Sequence, residues 1–525
     1  MAMLASREFR TFMFSKRVSL SILTGLLLGT SYIPFPPWAL FFYLVPLWIV
    51  WFEEKSLRGI FWTGCLAQFV FNLIGFNWVG YTVHEFGHLP WPLAFAVLCL
   101  FCLAANLFLP FTGLIWFVLC KKMSLDPIRK IWLLPVLVAI GERVSPMIFD
   151  WNEGYCWLWW RFPAYHLADI IGFLGLASVS IAFNAMFLMA WWRRQNGQRW
   201  WPWAFAVPAI FALMNLAGHF HGSNLAEPDA HLKFLLLQAN IGNQEKLMSE
   251  KGGAYRDVVI SRWVNLTYKG LQAAPADFAV WPETAFPESI DDPTLSGMFP
   301  MKLKTFVAGS HTRLITGGYS HLVEDGRYTN SFFILGPDGN WAAPPYHKTV
   351  LLAFGEYFPL GDQFPWLKRM FPEVGDYGRG PGPTVLDGGG VKIGAQICYE
   401  GLFDWFTRDL ANKGAEIIVN VTNDSWYGKW EQPYQHGWMT FARAVEVRRP
   451  LVRSTNTGFS TVALASGEIM ELSPLHEEWF HLYDVPYNTK PAATIFMSWG
   501  YWIFRILFFI ALLWIFLGTR SKRQQ

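Results

Sequence analysis

Val391-Lys392-Ile393-Gly394-Ala395-Gln396-Ile397-Cys398-Tyr399-Glu400-Gly401 is the stretch on which the fold turns. A short run of β-forming residues ends on a thiol and is followed at once by Tyr-Glu-Gly. A buried strand therefore delivers a cysteine where the chain turns into its next segment, a placement that suits a nucleophile. The other five cysteines, Cys65, Cys99, Cys102, Cys120 and Cys156, lie in or beside long apolar stretches, where a free thiol acts as a small inert hydrophobe.

Around this strand the chain has a β-rich texture broken by Gly, Pro, Asn and Asp. Strands are expected at 234–238, 278–281, 305–309, 314–319, 331–335, 391–397 and 417–421, with helices at 255–273, 402–413 and 435–449. The alternation reads as one α/β domain. Its carboxylates and one suggestive lysine fall at strand ends, where α/β enzymes tend to place chemistry.

The rest of the chain belongs in a membrane. The chain as a whole is 53% apolar and 15% charged, against ~25% charged in soluble proteins. Its 29 tryptophans favour the membrane–water interface. Spans are expected near 19–32, 38–52, 59–81, 91–120, 131–149, 167–192, 201–219 and 495–518, about eight in all. The first, behind a basic leader, lacks a small-x-small cleavage site and reads as an uncleaved helix. Basic clusters at Arg7/Arg10/Lys16/Arg17, Lys55/Arg58, Lys121/Lys122/Arg129/Lys130, Arg193/Arg194/Arg199 and Arg520/Lys522/Arg523 then share one side. By the positive-inside rule that side, with both termini, is cytoplasmic, and the polar stretch is outside. A net charge of +3 with no continuous basic stripe excludes nucleic-acid binding.

Three local patterns carry chemistry: Trp281-Pro282-Glu283-Thr284, Tyr346-His347-Lys348 running on to Phe354-Gly355-Glu356-Tyr357, and Cys398-Tyr399-Glu400. A cysteine nucleophile needs a base, and the oxyanion formed on a carbonyl needs a cation or donor. Glu, Lys and Cys meet both needs without histidine. Each pattern alone has a plainer reading: a structural thiol, a turn, a solvated lysine. It is their joint occurrence in one domain that favours chemistry.

Together these blocks resemble the nitrilase superfamily, with Glu283, Lys348 and Cys398 at its triad positions and Asn420-Val421-Thr422-Asn423-Asp424-Ser425-Trp426-Tyr427-Gly428 like its strand and loop after the nucleophile. Gln238-Ala239-Asn240, Arg453-Ser454-Thr455-Asn456-Thr457-Gly458 and, in the apolar half, Gly75-Phe76-Asn77-Trp78 and Phe86-Gly87 extend the likeness. Nearly end to end, the chain resembles the apolipoprotein N-acyltransferase family, the membrane-embedded branch. It departs at Val350-Leu351-Leu352-Ala353, where the family shows His-Leu-Val-Pro before Phe-Gly-Glu, and around Glu142-Arg143 and 150–160.

The resemblance implies a polytopic α-helical membrane domain (1–220, seven spans), an extramembrane α/β nitrilase-like α-β-β-α sandwich facing the periplasm (221–491), and a last span with a basic cytoplasmic tail (492–525), all in the cell inner membrane. It implies transfer of an acyl chain from a phospholipid, phosphatidylethanolamine as the expected donor, to the N-terminal amine of S-diacylglyceryl-cysteine in an apolipoprotein. Glu283 would be the base, Lys348 the oxyanion cation and Cys398 the thioester carrier. Glu356 and Glu400 would orient them, and Tyr399 would steady the acyl-enzyme. No cofactor or metal is implied.

Both substrates are lipids, so the site needs a membrane-facing mouth. Phe364-Pro365-Trp366-Leu367-Lys368-Arg369-Met370-Phe371 mixes aromatic and basic residues as interfacial segments do, marking Trp366 and Phe371 as a lid, with Trp426 and Tyr427 as a second arm. His84 and His88 have metal-ligand spacing but lack an evident third ligand, and read as an interfacial loop. Asn72 and Asn77 read as groove-lining or as helix-to-helix hydrogen bonds. The rival functions are a membrane-tethered amidase, with water as acceptor, and a lipid carrier with a degenerate enzyme domain.

Overall fold

The computed structural model describes residues 16–291, 298–321, 326–370, 374–500 and 502–523. The chain divides into two compact units, Met1–Ser223 with Trp499–Gln525, and Asn224–Ser498.

The first unit is helical: α1 (Lys16–Gly29), α2 (Val45–Glu53), α3 (Leu57–Gly75), α4 (Trp78–Glu85), α5 (Trp91–Ala104), α6 (Phe108–Met123), α7 (Pro127–Val144), α8 (Tyr155–Trp159), α9 (Ala168–Gln195) and α10 (Trp201–Gly222). Among the described residues four stretches are long and apolar enough to cross a membrane: Leu57–Gly75, Trp91–Met123, Pro163–Gln195 and Trp201–Gly222. In place of the expected span 38–52 the α-helix is the nine-residue α2, Val45–Glu53, a rise of about 14 Å against the ~30 Å hydrocarbon core. The expected spans 59–81 and 91–120 are each two helices. The break between α5 and α6 is held by Asn72, whose Nδ2 donates to the carbonyls of Cys102 and Ala105 at 3.0 Å. This settles Asn72 as a helix-to-helix bond, whereas Asn77 donates to Ile74 O in its own neighbourhood. Small residues set the packing distance. A Cβ on Gly25 would fall 2.6 Å from Ala67 O and from Val70 Cβ, so α1 and α3 approach at closest backbone range. His84 Nδ1 is bonded to Leu89 O at 2.7 Å, and its ring stacks on Trp91.

The second unit contains two sheets. Its strands are β1 (Ala230–Gln238), β2 (Phe278–Val280), β3 (Arg313–His321), β4 (Tyr328–Leu335), β5 (Tyr346–His347), β6 (Val385–Asp387), β7 (Lys392–Ile397), β8 (Ile417–Thr422), β9 (Leu451–Thr455), β10 (Thr461–Ala463) and β11 (Trp479–Tyr487). Between them lie α11 (Asn243–Lys251), α12 (Gly253–Ala273), α13 (Met298–Ser310), α14 (Pro365–Met370), α15 (Asp404–Asn412) and α16 (Gln432–Val447), and the short α17 (Ile495–Trp499) precedes the final helix α18 (Trp502–Arg523). One sheet runs β11-β1-β2-β3-β4-β5 and the other β10-β9-β8-β7-β6. Strands β1, β2 and β3 are parallel, as are β7, β8 and β9.

Alternation along the strands separates the faces. Leu235, Leu237, Ala279 and Trp281 join Val259, Trp263 and Leu266 of α12 and Leu303 and Val307 of α13 in one buried core. The intervening Phe234 and Phe278 stack on each other at 5.1 Å on the opposite face. There the sheets meet: Ser454 Oγ of β9 donates to Leu237 O of β1 and Val280 O of β2, both at 3.1 Å. With α15 and α16 packed on the second sheet, the layers are α-β-β-α. Residues 305–309, expected as a strand, are part of α13: Leu303 and Val307 are buried four residues apart, a helical repeat that the β-prone Thr-Phe-Val concealed. Strands β5, β6 and β10 were missed because they are two or three residues long, β9 because it buries the polar Arg453, Ser454 and Thr455, and β11 because His481, Asp484 and Pro486 interrupt its apolar residues.

Candidate active site

The C-terminal ends of strands from both sheets meet at one place. Glu283 follows β2, Cys398 follows β7, Asn423 and Asp424 follow β8, and Lys348 follows the two-residue β5. The turn carrying Glu283 lies against β3 at Gly317, where a Cβ would sit 2.5 Å from Thr284 N and 2.6 Å from Glu283 Cα. Only glycine fits there.

Glu283 is buried and fully occupied. Its Oε1 accepts from Lys348 Nζ at 3.1 Å and Asn330 Nδ2 at 2.6 Å, and its Oε2 accepts from the Asn423 backbone N–H at 2.9 Å. Lys348, 1% exposed, donates also to Glu356 Oε1 at 2.7 Å. Asn330 Nδ2 reaches Glu356 Oε1 too, at 3.0 Å, so one amide and one ammonium span both carboxylates. Glu356 Oε2 accepts from Leu352 N at 2.8 Å. The departing segment 350–353 thus still wraps Glu356 without the family's histidine and proline.

Burial pulls the Lys348 ammonium down, but Glu283 and Glu356 outweigh it and hold its pKa well above the ordinary value. Burial likewise raises Glu283, and Lys348 and Lys246 overcome this and lower it. Cys398 is pushed well up, first by burial and then by Glu283, with Lys348 opposing. The resting trio is therefore carboxylate, ammonium and neutral thiol, with each charge felt by the sulfur.

Cys398 has φ 50°, a left-handed backbone that is unusual for a non-glycine residue. Two contacts hold this elbow. Glu400 reaches back to Ile397 N at 2.9 Å through Oε2, while its Oε1 accepts from Tyr346 OH at 2.6 Å, Thr349 N at 2.7 Å and Val350 N at 3.1 Å. It ties the cysteine turn to the lysine segment, and burial raises its pKa to about 7 against those donors. From behind, Asn420 Nδ2 donates to Cys398 O at 3.3 Å, Arg453 Nη1 to Asn420 Oδ1 at 2.7 Å, and Arg453 Nη2 to Asp424 Oδ2 at 2.9 Å. His436 Nδ1 lies 2.7 Å from Asp424 Oδ1. Burial raises Asp424, yet His436 and Arg453 hold it at about 2.

Of the other expected residues, Tyr399 and Tyr427 are buried, Tyr399 edge-on to Phe403 at 4.9 Å and Tyr427 within electrostatic range of Cys398. Trp426 is half-buried. Trp366 is 51% exposed on α14, a helix with no buried residue. Phe371 lies outside the described residues. Sequence reasoning passed over Asn330, Lys246 and His436, and gave Asn420, Asp424 and Arg453 no role. Asn330 sits between Thr329 and Ser331 in the polar half of β4, where nothing local distinguished it.

A family model described as carbon-nitrogen hydrolase matches residues 237–484, and one described as the apolipoprotein N-acyltransferase N-terminal domain matches residues 24–186. The chain is 44% identical over 493 residues to the apolipoprotein N-acyltransferase of Bdellovibrio bacteriovorus, covering 92% of this chain and 90% of that one. The chain belongs to the apolipoprotein N-acyltransferase family. The apolipoprotein N-acyltransferase of Geobacter metallireducens is 29% identical, with 87% of each chain covered. Among solved structures, Saccharomyces cerevisiae Nit3, of the nitrilase superfamily, aligns over 49% of this chain and 91% of its own, at 17% identity and TM-score 0.37. Membership accounts for both halves of this chain at once, the apolar helices and the nitrilase-like domain.

Proposed function

We propose that this membrane protein transfers an acyl chain from a phospholipid, through a thioester on Cys398, to the N-terminal amine of S-diacylglyceryl-cysteine in apolipoproteins, completing lipoprotein maturation. The observation that carries the reading is the 44% identity running through membrane helices and catalytic domain alike. The donor is phosphatidylethanolamine, the catalytic domain faces the periplasm, and the chain crosses the inner membrane about eight times, with 1–220 and 492–525 flanking the domain 221–491. Basic clusters on one side of the apolar segments support that orientation.

In the first step Glu283 takes the Cys398 proton as sulfur attacks the ester carbonyl. With the thiol raised and the carboxylate lowered, the proton moves only as the S–C bond forms. Lys348 Nζ stabilises the oxyanion. The C–O bond breaks and the proton passes from Glu283 to the departing lysophospholipid. In the second step the neutral amine attacks the thioester, Glu283 accepts its surplus proton, and that proton returns to the Cys398 sulfur as the amide is released. Glu356 and Asn330 orient Lys348, and Glu400 fixes the elbow. Tyr399 steadies the acyl-enzyme. Trp366, exposed beside Phe364 and Met370, forms a lid toward lipid, with Trp426 and Tyr427 lining the mouth.

Wild-type protein with phosphatidylethanolamine vesicles and a diacylated lipopeptide is expected to yield a lipopeptide heavier by one acyl chain and an equivalent of lysophospholipid. Release of free fatty acid or ammonia without triacylated product would instead establish the tethered hydrolase.

A further inference from the structure

Lys246, in the first turn of α11, is half-buried, and its Nζ donates to Thr284 Oγ1. Thr284 directly follows Glu283 and has φ 46°, so this hydroxyl is held on the turn that presents the candidate base. Nearby cations are matched: Arg256 pairs with Glu288 at 2.9 Å, Arg262 with Glu245 at 3.2 Å, and Lys348 with Glu283 and Glu356. Lys246 has no carboxylate within ion-pair distance among the described residues, although its charge reaches Glu283. An ammonium anchored by a hydroxyl beside a reaction centre retains donors for an incoming anion.

The surroundings indicate which anion. Leu247 and Met248, next along α11, are 42% and 47% exposed, an apolar edge beside the cation. Asn243, one turn earlier, bonds Ser425 through its side chain, tying α11 to the segment that carries Trp426 and Tyr427. Cation, apolar edge and acyl-accepting thiol together match a lipid that carries its negative charge next to an ester. Resting on the function proposed above, we propose that Lys246 binds the phosphodiester of the donor phospholipid and so acts in the first half-reaction. The acceptor offers an amine and no phosphate, so Lys246 gives it nothing to hold.

The test compares full-length wild type, Lys246→Met and Lys246→Arg in single-turnover acylation by phosphatidylethanolamine and by the neutral ester p-nitrophenyl palmitate. Lys246→Met is expected to slow the phospholipid step about tenfold more than the neutral-ester step, as loss of a charge-assisted hydrogen bond implies, with Lys246→Arg recovering most of the loss. Equal slowing with both donors and a shifted pH profile would make Lys246 a positioning residue for Glu283 and overturn the assignment. Inorganic phosphate is expected to leave acylation from vesicles unchanged. Inhibition that disappears in Lys246→Met would make this a site for free anions and overturn the lipid assignment. Failure of wild type to accept any acyl chain from phospholipid would instead remove the acyltransferase reading itself, and this one with it.

Discussion

At the scale of single residues the site is organised around one unfavourable proton. Burial and the Glu283 charge raise the Cys398 pKa well above that of an ordinary thiol, so the proposed nucleophile rests protonated and unreactive toward stray electrophiles. An ordinary thiol ionises near ~8.5, and its alkylation rate levels off above that pH. Cys398 alkylation by iodoacetamide is expected to keep rising with pH past the point at which an ordinary thiol's rate levels off. A plateau near pH 9 would contradict the buried-thiol picture. These residues were legible because each lies in its own block at a strand end: Trp-Pro-Glu, His-Lys, Cys-Tyr-Glu. Asn330 was not, since its role comes only from bridging Glu283 and Glu356, residues distant in sequence.

At the scale of elements, β7, β8 and β9 lie under Cys398, locked together by a buried polar chain. Arg453 and Asp424 are both 0% exposed in their side chains and 2.9 Å apart. Asp424→Asn leaves the guanidinium without its charge partner, so a loss of about 3–5 kcal/mol is expected, read as a lower Tm of the full-length protein. Because the Asp424 pKa is depressed to about 2, its contribution is present above the unfolded value near ~4 and is lost as pH falls from there toward about 2. Glu400 has the opposite sign. With its pKa raised to about 7, the folded state holds an extra proton, so stability falls as pH rises from about 4.5 to about 7 and is flat above. A Tm unchanged by Asp424→Asn would mean that the chain behind Cys398 is not under load. Local sequence misread residues 305–309 of α13 as a strand for the same reason that it hid this chain: consecutive β-prone residues in a helix, and polar residues buried in strands, make sense only against their neighbours.

At the scale of the whole molecule, composition separated an apolar half from a polar one, and the order of strands and helices gave the α/β class. The finer membrane organisation was less legible. Apolarity alone does not show that α5 and α6 part at Ala105, where Asn72 captures the carbonyls of the break, or that α2 is only nine residues long. A polar side chain in one apolar run, Asn72 of α3, holds the break in another.

The central claim is that Cys398 carries an acyl chain taken from a phospholipid and given to an amine. Intact mass of the full-length protein after incubation with phosphatidylethanolamine vesicles tests it most directly, with Cys398→Ala as control. Wild type is expected to gain one acyl mass, discharged by a diacylated lipopeptide much faster than by water, and Cys398→Ala to gain none. An adduct on both proteins, or on neither, would contradict the account.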